Sequence, residues 1–86
     1  GDTAEFLGLS PEEIRYIDLK LALRNSLREE RRRLGITQVE LARMMGSSQS
    51  RVAKLEKCDP SVSNDLLLRA LLALGVTNKQ IARALV

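Results

Sequence analysis

A glycine followed two residues later by a hydroxyl residue recurs along this chain, and after residue 30 it does so as Gly35 and Thr37, Gly46 and Ser48, and Gly75 and Thr77. Glycine accepts the left-handed conformation that ends many helices. Ser and Thr accept hydrogen bonds from the unpaired N–H groups that open the next one. Repeated punctuation of this kind cuts a chain into short helices joined by tight turns. Thr37 with Glu40, and Thr77 with Gln80, add the reciprocal spacing of a capping box. Ser10-Pro11-Glu12-Glu13 is a further start, with a cap, a proline at the first helical position and acids at the positive helix end.

These marks predict helices over about residues 11–34, 37–45, 48–57, 63–74 and 77–85. Asn25-Ser26 is the point at which the long first helix would kink or divide. Ser63 or Asn64 caps the fourth helix. Asp59-Pro60-Ser61-Val62-Ser63 is a loop, because proline and short polar residues compete with helix. No segment alternates apolar and polar residues for long enough to make a strand. Phe6 and Tyr16 are the only aromatic residues, so the core must be built mainly from Leu and Ala, both helix formers. The fold class is all-α. With 86 residues there is room for one domain and one modest core.

Charge is distributed unevenly. Residues 1–13 carry four acids and no base, whereas residues 14–57 carry eleven Lys/Arg against five Asp/Glu. A basic middle fits a polyanionic partner as well as it fits a solvated face. The chain has no histidine, no cluster with metal-ligand spacing, no Gly-rich phosphate loop and no carboxylate pair placed in a plausible cleft. Catalysis is therefore not expected, and no metal or cofactor is called for. Cys58 is the single cysteine, which rules out a disulfide within the chain and favours a cytoplasmic setting. No apolar run reaches membrane-spanning length and no signal-peptide pattern is visible. Gly1 stands where a natural chain would begin with Met, and is read as a trimmed or tagged start.

Residues 38–56 hold the most informative pattern. Leu41, Ala42 and Met45 share one face of the second helix, and Val52 and Leu55 share one face of the third. Ala42 is small enough for two helices to cross closely. Gly46 can make the sharp turn between them. The outward face of the third helix is then Gln49, Ser50 and Lys54, with Arg51 and Lys57 to one side. Amides and ammonium groups at the N-terminal end of such a helix can meet base edges in a major groove.

At these positions the chain resembles a known family. Thr37-Gln38-Val39-Glu40-Leu41-Ala42, then Gly46, then Ser48-Gln49-Ser50-Arg51-Val52, then Leu55-Glu56, is similar to the helix-turn-helix of the lambdoid phage repressor and Cro superfamily, the XRE-type regulators. The likeness spans roughly residues 18–75. It implies a five-helix lambda-repressor-like bundle, here with an extended N-terminal helix. The 86 residues then form a single domain, with an extension over 1–17, a helix-turn-helix unit over 37–57 and a C-terminal helix over 77–86. The resemblance also implies roles. Gln49, Ser50 and Lys54 would read bases. Gln38, Ser48 and Arg51 would hold DNA phosphates. Arg31 and Glu56 would form a buried ion pair locking the first helix to the third.

Two departures stand out. Lys57-Cys58-Asp59-Pro60 replaces the usual Asn-Gly or similar after Glu56, so the following loop should run differently. The N-terminal extension exceeds the minimal fold, and resembles the start of a bacterial subgroup often encoded beside a small toxin.

The expected function is a sequence-specific regulator of transcription, a repressor that binds duplex DNA at a palindromic operator as a homodimer. One reading helix touches only a few base pairs, and two half-sites supply the rest. The alternative is an antitoxin that also represses its own operon, with Phe6, Leu7 and Leu9 binding a toxin protein. The dimer interface is placed at Ile81 and Leu85 on the last helix. That helix is too short to stand alone, and the fourth helix is already needed to cover Val52 and Leu55.

Overall fold

The structure is a computed structural model, and it describes residues 8–86. Its described residues form five helices and no strands: α1 Pro11–Arg33, α2 Gln38–Met45, α3 Gln49–Glu56, α4 Asn64–Ala73 and α5 Asn78–Ala84. Each starts at the hydroxyl residue that the punctuation marks. Ser10, Thr37, Ser48, Ser63 and Thr77 all hold extended backbone and accept a hydrogen bond from an N–H in the first turn. For α4 the cap is Ser63, not Asn64. At Ser10, Thr37 and Thr77 the capping box is closed in both directions, by Glu13, Glu40 and Gln80 respectively.

Between α2 and α3, Gly46 adopts φ +64° and donates its N–H back into the last turn of α2. A side chain there would be strained. Cys58 is the one non-glycine residue among those described with positive φ, at +54°. The chain leaves α3 through that conformation.

The first helix is continuous. Asn25-Ser26 neither breaks nor divides it, because nothing there interrupts the backbone ladder. Arg24 Nε donates to Asn25 Oδ1 at 2.9 Å, which turns the amide outward, where it cannot compete with the helix for backbone partners.

The core is aliphatic. Leu27, Leu41, Ala42, Val52, Leu55, Val62, Leu67, Ala70, Leu71, Leu74 and Val76 are buried as one cluster. α2 packs on α3 and α4, and α1 lies across α3, α4 and α5. Ile81 packs in part against this same cluster, so α5 docks on its own chain. Leu85 is 40% exposed and Leu72 64% exposed, leaving apolar surface near the C-terminus. No described helix is long and apolar enough to cross a membrane.

Candidate nucleic-acid interface

The reading face grows out of the α2–α3 crossing. Leu41 and Ala42 turn inward from α2, and Val52 and Leu55 from α3. An eight-residue helix with two inward positions three apart presents its opposite side to solvent. Gln49, Ser50, Arg51 and Lys54 are all exposed on α3, and Arg43 and Lys57 are exposed close by. Ser48 is exposed as well, but its Oγ is engaged as the α3 cap, accepting from the Arg51 N–H at 3.3 Å.

Behind this face runs a connected set of hydrogen bonds centred on Glu56, the last residue of α3, which is 3% exposed. Arg31 Nε donates to Glu56 Oε2 at 2.5 Å and Arg31 Nη2 to Oε1 at 2.8 Å, a bidentate pair. A third donor of the same guanidinium, Nη1, reaches the Ile36 carbonyl at 2.9 Å. Gln38 Nε2 donates to Glu56 Oε1 at 3.2 Å. The oxygen of that amide accepts from Gln49 Nε2 at 2.8 Å. The chain Arg31–Glu56–Gln38–Gln49 thus joins a buried ion pair to an exposed side chain at the tip of α3.

The electrostatics follow from this wiring. Burial is the largest single influence on the Glu56 carboxyl and pushes it up. Hydrogen bonds from Arg31 and Gln38, and the charges of Arg31 and Arg28, outweigh it together and hold the group below its ordinary value of 4.5. Glu56 therefore remains an anion at neutral pH, an acceptor for every donor that faces it.

The structure brings Arg31, Gln38, Gln49 and Glu56 together. Ser50, Arg51 and Lys54 stand apart from that set and face outward. Gln38 is half-buried and turned inward to Glu56 and Gln49. Ile81 lies on α5 and Leu85 is the residue that caps its C-terminal end, away from the α2–α3 unit. Phe6 and Leu7 fall outside the described residues, and Leu9 is half-buried. The sequence reading missed Arg24, whose Nη1 donates to the Glu56 carbonyl at 3.0 Å. No local signal separates it from any arginine on a solvated helix.

With one amide hydrogen given to Gln38, Gln49 keeps one N–H and one carbonyl oxygen free. One donor beside one acceptor matches the major-groove edge of adenine. Among the described residues no group of side chains could hold a metal ion.

Comparison with known proteins bears on the same stretch. A family model described as Helix-turn-helix matches residues 27–77, more than half of the chain. A protein of Haemophilus influenzae described as an uncharacterized HTH-type transcriptional regulator is 38% identical over 66 residues, covering 77% of this chain and 67% of the relative. No solved structure matches. The matched residues enclose α2, the Gly46 turn and α3, and the chain belongs to the XRE-type helix-turn-helix family of DNA-binding transcriptional regulators.

Proposed function

We propose that the protein is a cytoplasmic, non-catalytic repressor that binds a palindromic operator as a homodimer. The observation that carries the reading is the pair Gln38 and Gln49: an exposed amide at the tip of α3, held in one orientation by a second amide fixed to a buried carboxylate. Pre-set polar groups on a rigid helix favour specific over non-specific contact. Gln49, Ser50 and Lys54 read base edges in the major groove. Ser48, Arg51 and the remaining N–H of Gln38 hold phosphates on either side. The exposure of Arg43 and Lys57 beside them extends the basic footprint.

Selection of bound duplexes from a random pool should return a site with twofold symmetry and an A·T pair at the position Gln49 meets. On that site Gln49→Ala should weaken binding by about 1–3 kcal/mol while binding to scrambled duplex hardly changes. Equal losses on both duplexes would remove the base-reading role.

The dimer interface is assigned to α5 and its C-cap, with Ile81 and Leu85. Exposed Leu72, Leu85 and Val86 support a partner there. Because Ile81 also packs on its own core, an aspartate at 81 would disturb the fold together with the interface. Leu85→Asp is the cleaner probe. Sedimentation at micromolar concentration should show a wild-type dimer and a folded Leu85→Asp monomer with weakened operator binding. A wild-type chain that remains monomeric at high concentration overturns the assignment.

The antitoxin reading is supported by exposed apolar side chains in the N-terminal half of α1, Ile17 and Leu21. A small toxin gene adjoining this one is the observation that would favour it.

A further inference from the structure

Two arginines of α1 close on the same residue. Arg24 and Arg31 stand seven positions apart, about two turns, and so project from one side of the helix. Arg31 takes the Glu56 carboxylate. Arg24 takes the other end of that residue, its Nη1 donating to the main-chain carbonyl at 3.0 Å. Carbonyls in the last turn of a helix have no partner within it, and a cation there also meets the negative end of the helix dipole. Glu56 is thus gripped by side chain and backbone from a single neighbouring helix.

Of the two arginines, Arg31 lies within the family match, which begins at residue 27, and Arg24 lies before it. Further back along the extension, the Tyr16 hydroxyl accepts a hydrogen bond from the side-chain amide of Asn64, the first residue of α4. The stretch between α3 and α4 is therefore held from α1 at both ends, at Glu56 and at Asn64. It is the stretch that contains Lys57-Cys58-Asp59-Pro60 and the positive φ of Cys58. Where the connection leaving the reading helix is irregular, the part of α1 that precedes the matched residues supplies support from Arg24 and Tyr16.

We infer that Arg24 is a positioning residue for sequence reading: it fixes the C-terminal end of α3 against α1, and so sets the angle at which Gln49, Ser50 and Lys54 are presented. The inference rests on the base-reading role assigned to those residues above. Arg24 acts from the end of the helix opposite Gln49, about 11 Å away along an axis that rises 1.5 Å per residue. It needs no contact with DNA to do so.

The test uses the full chain, the duplex selected by wild type and a scrambled duplex. Dissociation constants are measured on both for wild type, Arg24→Ala, Arg24→Lys and Gln49→Ala, at two salt concentrations. Arg24→Ala should reduce the preference for the selected duplex about tenfold, the scale of one charge-assisted hydrogen bond. Its binding to scrambled duplex and its salt dependence should match wild type. Arg24→Lys keeps a charged donor and should restore most of the preference. If Arg24→Ala does not fold, Arg24→Lys and Arg24→Gln are compared instead, and the amide variant should keep less of the preference than the lysine. An equal loss on both duplexes with a flatter salt dependence would make Arg24 a phosphate contact and overturn the inference. So would an unchanged preference in a variant that melts at lower temperature, which leaves Arg24 a purely structural role. Gln49→Ala separates the two levels. If it keeps the preference, the base-reading assignment itself fails; if it loses the preference and the Arg24 variants do not, only the positioning role fails.

Discussion

Glu56→Leu and Arg31→Met should each destabilise the protein by about 3–5 kcal/mol, because each leaves one buried charge without its partner. The Arg31 side chain is 12% exposed and that of Glu56 4%. Without the carboxylate, the guanidinium keeps only the Ile36 carbonyl; without the guanidinium, the carboxylate keeps only the Gln38 amide. Whole-domain stabilities are about 5–15 kcal/mol, so either change puts folding at risk. The double variant Arg31→Met with Glu56→Leu should recover part of the loss, since two apolar side chains of similar size need no desolvated partner. Urea unfolding of the three variants measures this. A double variant as unstable as the sum of the singles would mean that the two side chains act independently.

The same pair sets the response to acid. The folded protein holds Glu56 below its ordinary value of 4.5, so the carboxylate's contribution is present above that value and is lost as pH falls through it and below. Stability should therefore drop more steeply on acidification in wild type than in the double variant. Parallel acid profiles would break the link.

Leu27→Ala should cost about 2–5 kcal/mol. α1 runs for 23 residues, yet Leu27 is its only buried residue, with no exposed surface at all. A long helix pinned at so few points depends heavily on each of them. Leu27 also lies three residues after Arg24 and four before Arg31, on the same side of the helix. The cavity left by truncation would sit between the two arginines that hold Glu56. Leu27→Ala and Arg31→Met should therefore couple, with a combined cost that differs from the sum. A urea midpoint for Leu27→Ala within error of wild type would show that α1 is held mainly by its polar contacts.

Helix limits were legible because the signals that set them are local. Ser10, Thr37, Ser48 and Thr77 lie within four residues of the groups they satisfy, and Gly46 marks a conformation that other residues resist. The all-helical class and the inward faces of α2 and α3 follow from the same short-range spacing. Contacts across the fold were much less visible. The pairing of Arg31 with Glu56 was implied by family resemblance alone. Arg24 gave no sign of its role, since its partner is a main-chain carbonyl 32 residues away and carbonyls carry no residue identity. The inward turn of Gln38 was hidden for a related reason. An amide both donates and accepts, so its type alone leaves open whether it faces Glu56 or a phosphate. Tyr16 read as an isolated aromatic, and its partner Asn64 lies 48 residues further along the chain.

The closed capping boxes at Ser10, Thr37 and Thr77 have a bearing on how quickly the chain reaches its native state. Each box spans four residues, so it can close on the microsecond scale or faster, without waiting for distant parts of the chain to meet. The arginine contacts to Glu56 bridge 25 and 32 residues and carry the larger loop-closure penalty. Helix beginnings can thus form before the long-range grip, which then closes on segments already cut to length. Such an order keeps unpaired backbone short-lived during synthesis and limits the time in which half-made chains can associate wrongly.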